Sequence, residues 1–443
     1  MVNLLVLVGA LCAQNPNASL EDSLFAADIA VSTDSVKSMP ALASAPSAPV
    51  AETKGVGISG QMQASSRTRV VRGDLPSDLT KFVGMLGGQE FEIGGRLDLD
   101  APFPDGARAH VTMEFDHRAS LDTTTFALRE AFLDANIANT IRLRAGKQVL
   151  QWSRCQLWTP ADLVNVEAPQ FQQRLGAREG ATGLRAHLPI GAQTNIYGFA
   201  DLRGVRTYSD IALVGRVEFT LPHTEVGLTA RHKDGERVVP AVDFSTGYDR
   251  WQVAGEAAWL QAGTLFDIQR MGDAGWIVPV DRRTPQVSIS VSRPMDALGR
   301  TDRLRLGVEG FWNPEGESEN VFLPLSSIQY ARPLVMGRDS IRSGPEAALR
   351  VYGGAYRPYQ LGQWYAMGYA ILSDAPLTSS SLKASVLGNI SDNSWLGLVE
   401  WSWESLHGLG ATVSVSAPFG AYPAEFTWTS EWATLRADLG LRF

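Results

Sequence analysis

Histidine, cysteine, arginine and carboxylate side chains are the groups in this chain with chemistry to offer. The six histidines (His110, His117, His187, His223, His232 and His407) show no metal-ligand spacing of the His-Glu-x-x-His kind. No Gly-x-Ser-x-Gly nucleophile elbow is present either. No catalytic residue, metal site or cofactor is therefore predicted. His110 shares one strand face with Glu114 and Asp116, and a hydrogen-bonded network is the preferred reading of that group. Residues 55–60 match the Gly-x-Gly-x-x-Gly pattern, but they open a strand, whereas a dinucleotide site needs a strand before the glycines and a helix after them. The match is taken as chance, as is Arg72-Gly73-Asp74 within a polar stretch.

The stronger signal is where the charges fall. Over 433–443, Ala433, Leu435, Ala437, Leu439, Leu441 and Phe443 alternate with Thr434, Arg436, Asp438, Gly440 and Arg442. A period of two marks a strand whose faces meet different media, and a tilted strand of about 9–11 residues crosses a bilayer's hydrocarbon. The same rule holds upstream, with Phe91, Ile93, Leu97 and Leu99 against Glu92, Arg96 and Asp98, and with Leu304, Leu306 and Val308 against Arg303, Arg305 and Glu309. The charged parity collects Arg96, Arg108, Arg142, Arg144, Arg203, Arg216, Arg303, Arg305, Arg350 and Arg436. Facing them stand Glu114, Asp116, Glu218, Glu256, Glu309, Glu400 and Asp438. These residues are expected to point into a lumen and to line a water-filled passage.

What must position them is a closed all-β sheet, a transmembrane up-and-down antiparallel barrel. Tight turns (102–106, 136–140, 189–193, 222–224) alternate with long polar segments (65–88, 151–179, 261–283, 313–344), the pattern of short periplasmic turns and long outer loops. The tally points to about 18 strands, with 16 as the next choice, since single-chain bacterial barrels have even counts. A mean hydropathy of −0.07 accords with lipid-facing residues diluted one for one by lumen-facing ones. The net charge of −8 and pI near 5.4 argue against nucleic acid as a partner.

Residues 1–13 read as a signal peptide with an apolar core at Leu4–Leu11, and 14–54, rich in Ala, Ser and Pro, as a disordered periplasmic tether. The barrel then spans 55–443. Removal of the signal would leave Cys155 as the one cysteine, without a disulfide partner.

Gly146-Lys147-Gln148, Trp152 and Trp158-Thr159-Pro160-Ala161-Asp162-Leu163-Val164-Asn165 resemble a segment of porin-like outer-membrane proteins of Gram-negative bacteria, many of them uncharacterised. The C-terminal strand ending in Phe443 is similar to that of bacterial outer-membrane barrels, where a final Phe serves in the assembly signal. The resemblance covers these two stretches and implies a barrel in the outer membrane. Its implied partners are lipid, lipopolysaccharide, the barrel-assembly machinery and small hydrophilic solutes. A homo-oligomer is left open. A loop at 151–179 would lie outside the barrel or fold into its mouth. If it folds in, Arg154, Asp162, Glu167, Arg174, Arg178 and Glu179 are the candidates to set selectivity at a constriction.

Three readings follow: a passive channel for small hydrophilic solutes, an outer-membrane barrel enzyme of lipase or protease type with a rim Ser/His pair, and a structural or adhesive barrel with a closed lumen. The density of inward charge favours the first.

Overall fold

The structure, a computed structural model, describes residues 55–71, 88–103, 106–137, 140–165, 178–260, 266–271, 274–279, 283–320, 322, 341–342, 358–405, 408–428 and 431–443. The signal and tether expected over 1–54 lie outside the described residues, as do Glu167, Arg174 and Arg350.

The strands are β1 (Gly57–Val71), β2 (Gln89–Pro102), β3 (Arg108–Arg118), β4 (Thr123–Ile137), β5 (Ile141–Gln148), β6 (Ala181–Ile190) and β7 (Thr194–Asp201). They continue as β8 (Ala212–Thr220), β9 (Thr224–Lys233), β10 (Val239–Tyr248), β11 (Trp251–Leu260), β12 (Phe266–Met271), β13 (Ala274–Pro279) and β14 (Thr284–Ala297). The last are β15 (Arg300–Trp312), β16 (Ile341–Arg342), β17 (Trp364–Ser373), β18 (Ser380–Asn389), β19 (Ser394–Glu404), β20 (Leu409–Gly420) and β21 (Glu431–Arg442). Eighteen of them form one antiparallel sheet in chain order, and β21 pairs back onto β1 from Gln61↔Arg442 to Val71↔Glu431. The barrel has no edge, so its backbone donors and acceptors are paired without help from water. The remaining three, β12, β13 and β16, make a small separate sheet from the connections that follow β11 and β15.

The alternation read in the sequence is the alternation of the walls. Ile58, Met62, Ile93, Leu213, Leu228, Ile289, Val308, Val399, Leu435 and Leu439 all stand exposed on the outer face. Their neighbours in sequence, mostly small, polar or charged, point inward, because successive side chains leave a strand on opposite sides. At the seam, Gly60 and Phe443 exchange backbone hydrogen bonds of 2.9 and 3.0 Å. The Phe443 ring covers Gly60 so closely that a Cβ there would lie 2.7 Å from it, so only glycine leaves room.

Two features differ from expectation. β1 runs to Val71, past the start of the predicted loop at 65, and its inward parity therefore continues through Arg67 and Arg69. Two connections at the long-loop end, 119–122 and 390–393, are only four residues each. The second of these breaks the short–long rhythm downstream of residue 313. A bulge where Thr112 and Met113 face Glu130 and Leu128 also shifts the parity of β4 midway.

Candidate functional site

After β5 the chain turns into the barrel. Leu150, Trp152, Cys155, Leu157, Trp158, Ala161 and Val164 are all buried against inward side chains of the wall. The resemblance motif explains its own geometry. Asn165 accepts from the Leu150 amide at 2.9 Å and donates to the Leu150 carbonyl at 2.5 Å, clamping the two ends of the loop together. Asp162, three residues earlier, receives the Asn165 amide at 3.1 Å and its side-chain Nδ2 at 2.6 Å. Arg178 completes the clamp with a bond to Asp162 at 3.0 Å. Trp158 stacks on Phe311 with centroids 5.6 Å apart, and its Nε1 donates to the Tyr359 carbonyl at 2.9 Å. Trp152 packs with Leu150, Val164, Ala181, Phe199 and Val214.

Buried carboxylates hold the rest of the loop. Glu256, inward on β11, accepts the amides of Arg154 (2.5 Å), Cys155 (2.8 Å) and Ala161 (3.1 Å). Glu309, inward on β15, accepts those of Gln156 (2.8 Å), Leu157 (3.0 Å) and Trp158 (2.8 Å). Six loop amides that would otherwise lose their hydrogen bonds inside the barrel thus receive side-chain carboxyl acceptors. The Arg154 side chain spans Glu218 at 3.2 Å, Glu225 at 2.6 Å and Asp243 at 3.3 Å. Beneath it Arg216 pairs with Asp243 and donates to Thr229 at 3.0 Å, and Trp152 lies 5.9 Å away on the ring side. Gly227 makes this packing sterically feasible, since a Cβ there would come within 2.3 Å of the Arg216 guanidinium. Burial pushes the Cys155 thiol above its ordinary range, and the nearby Glu309 and Glu256 carboxylates push it the same way.

A second inward group forms where the 421–428 connection folds back. Glu425 accepts from Tyr365 Oη at 2.6 Å and Asn389 Nδ2 at 2.8 Å, and its own amide donates to Asp392 at 2.8 Å. Phe426 rests 6.1 Å from Tyr359, and Trp158, Phe311, Tyr365, Met367, Ile371, Leu387, Leu396 and Leu398 join the same apolar cluster. The inner wall from β6 round to β19 is thereby covered by loop and aromatic side chains.

The opposite wall, β20, β21 and β1 to β5, keeps its charges within reach of the lumen. They are arranged as neighbouring ion pairs: Arg96–Asp98 at 2.9 Å, Arg129–Glu114 at 2.5 Å, Arg144–Asp134 at 2.6 Å, Arg118–Asp116 at 3.4 Å and Arg436–Asp438 at 2.9 Å. Arg67 and Arg69 each lie 3.7 Å from Glu90, and Arg108 binds Asp100. Arg144 stands directly across from Arg185 in the β5–β6 register, and Arg142 across from His187.

The structure thus divides the predicted lining residues. Arg96, Arg108, Glu114, Asp116, Arg142, Arg144, Arg436 and Asp438 stand on the charged wall. The expectation that Arg216, Glu256 and Glu309 line water is corrected. At 1, 3 and 2 % exposure they are enclosed beneath the loop, the two glutamates accepting its amides and Arg216 pairing with Asp243. Glu218 joins them through Arg154. Arg203 grips Asp201 and the Val164 carbonyl, and Arg303 holds the Ser373 and Asp374 carbonyls, so both serve connections. Arg305 faces inward on β15, and Glu400 lies opposite the buried Lys383 on β18. Of the loop candidates, Arg154, Asp162 and Arg178 are in the inward network, while Glu179 pairs with Lys147 at 2.6 Å. Arg67, Arg69, Arg129, Asp134, Arg185, Glu225 and Asp243 belong to the site without having been singled out. Glu225 and Asp243 lie on a legible alternation (Glu225, Gly227, Thr229; Ala241, Asp243). Arg129 is hidden by the bulge.

No protein-family model matches the chain, and no curated protein matches it. Solved structures do. Pseudomonas aeruginosa OccK3 (OpdO) aligns with a TM-score of 0.51 at 10 % identity, over 88 % of this chain and 95 % of that one. Pseudomonas aeruginosa OprD gives 0.50 at 7 % identity over 88 % and 95 %, and Acinetobacter baumannii OccAB4 gives 0.50 at 7 % over 88 % and 98 %. At such identities the likeness speaks for the fold, while the exposed apolar belt is that of a barrel whose outer face meets lipid. By its fold this chain is a closed, 18-stranded antiparallel β-barrel like those of these solved structures.

Proposed function

We propose that the protein is a passive outer-membrane channel for small hydrophilic solutes, with Arg154, Asp162 and Arg178 in the loop that narrows it. The observation that carries this reading is the asymmetry of the lumen. One wall is filled by a loop pinned on Glu256 and Glu309, while the other keeps a column of partly buried ion pairs. An 18-stranded barrel is wide enough to hold water beside such a loop, and paired charges facing a pinned loop set a transverse field across the gap. Reconstitution of the refolded protein into planar bilayers tests it. Stepwise single-channel conductance that scales with salt is expected, and a silent bilayer despite verified insertion would favour the closed adhesive barrel.

Among the described residues the enzyme reading could point to Asp100–His110–Thr112. Thr112 is wholly buried and its hydroxyl donates to Asp98 at 2.6 Å, so its oxygen is not poised for attack. Lipid, lipopolysaccharide and the assembly machinery are the proposed partners, with Phe443 as the assembly signal. Its seat against Gly60 suits a residue that completes the seam last.

A further inference from the structure

Arg293 breaks the rule of the outer wall. On β14 the polar side chains Thr284, Gln286, Ser288, Ser290 and Ser292 are buried on the inward face, so the opposite parity runs Pro285, Val287, Ile289, Val291, Arg293 and Met295. All of these but Arg293 are apolar, and Val287, Ile289 and Met295 stand exposed on the outer wall. Arg293 therefore puts a guanidinium on the lipid-facing side. Its place is near the short-turn end: β14 closes at Ala297, and Leu306 lies directly across from Arg293 on β15. On the other side Trp251, the first residue of β11, holds its ring 5.0 Å from the guanidinium carbon. A charge on the lipid face costs far less at headgroup level than at mid-membrane, which fits a residue beside the turns.

The guanidinium is only partly matched there. Among the described residues its one ionic contact is Asp249, with Nη2 4.0 Å from Oδ2, the outer limit of an ion pair. Its Nε is shielded from solvent and makes no hydrogen bond. The Trp251 ring covers one face of the planar group and leaves its N–H edge to other acceptors. Asp249 lies in the two-residue turn between β10 and β11, and its side chain is 66 % exposed. Its turn neighbour Arg250 is directed instead to Asp296 at 2.7 Å and Asp302 at 3.7 Å. A cation and an anion thus stand side by side, the cation against the apolar wall and the anion toward water.

We propose that Arg293, Trp251 and Asp249 form a headgroup site for a phospholipid carrying a primary ammonium, of the phosphatidylethanolamine class, in the leaflet at the short-turn end. Arg293 takes the phosphate, whose paired oxygens fit the guanidinium fork. The ammonium, one ethylene bridge further from the bilayer, donates to Asp249. The acyl chains lie along the outer wall past Leu306, Val308 and Ile289, all of them exposed. Phosphatidylglycerol brings no ammonium and leaves Asp249 uncompensated beside a phosphate. The quaternary ammonium of phosphatidylcholine has no N–H to donate. The inference rests on lipid as the partner of the outer face and owes nothing to conduction.

The test is native mass spectrometry of the refolded barrel, released from micelles holding equal amounts of phosphatidylethanolamine, phosphatidylcholine and phosphatidylglycerol. The wild-type protein is expected to retain phosphatidylethanolamine with a preference of about two- to fivefold over either other lipid, the range of an exposed charge pair. Arg293→Gln is expected to erase that preference. Arg300→Gln, which changes an exposed arginine at the start of β15 that pairs with Asp374, is expected to keep it. Asp249→Asn should narrow the preference over phosphatidylcholine and raise the retention of phosphatidylglycerol, a gain that misfolding cannot produce. Equal retention of the three lipids by the wild type, or a preference that survives Arg293→Gln, would overturn the proposal and leave a lipid-facing barrel in place. A protein that stays dispersed without detergent and retains none of the three would overturn the lipid-facing reading itself, and the site with it.

Discussion

Arg216 and Asp243 form an ion pair with neither side chain open to water, and their energetics are set by what happens when one of them is removed. A buried pair does little for net stability against an apolar replacement of both, yet removing one partner strands the other at a cost of about 3–5 kcal/mol. Arg216→Met should therefore lower the urea stability of the refolded barrel by that order. Arg442→Met, which breaks an exposed pair with Glu404, should cost less than about 1 kcal/mol. Equal effects would contradict the assignment of Arg216 to an enclosed site. Cys155 gives a chemical check on the same region. Its thiol is raised above the ordinary range by burial and then by Glu309 and Glu256, and a raised thiol holds less of the reactive thiolate at a given pH. The folded protein should resist maleimide at pH 8 and label readily once unfolded, whereas fast labelling of the folded form would place the loop outside the barrel.

Strands are where the sequence was most legible. Leu435 and Leu439 are exposed on the outer face of β21, with Thr434 between strands on the inner one, as the alternation required. Arg at Leu435 or Leu439 should cost about 2–4 kcal/mol near mid-membrane, and Arg at Thr434 much less, read from urea titrations in lipid vesicles. The same period-two rule failed at β4 because a bulge puts Arg129 and Glu130 on one side, and no residue type there announces it. It stopped too early at β1 because Ser65, Ser66 and the arginines after them look like a loop, whereas Arg67 and Arg69 are inward side chains balanced by Glu90. The partners of the inward loop were illegible for another reason. Glu256 and Glu309 sit about 100 and 150 residues from the amides they accept, and nothing local records that pairing. Glu309→Ala should free three of those amides. Limited proteolysis is then expected to cut between residues 150 and 165 in a barrel otherwise resistant, and continued resistance would show that the loop is held by other contacts.

At the scale of the whole molecule, a seamless cylinder meets lipid on one side and water on the other, and two inward connections fill one half of its bore. On the proposed channel reading, the charged half is the path. The test acts on two positions of β2 on opposite faces, Arg96 inward and Ile93 outward, each changed to cysteine in a Cys155→Ser background. Single-channel currents are recorded before and after a water-soluble, membrane-impermeant thiol reagent is added. A stepwise drop in conductance is expected for Arg96→Cys and no change for Ile93→Cys. An unchanged current at Arg96→Cys, or a drop at both, would contradict it.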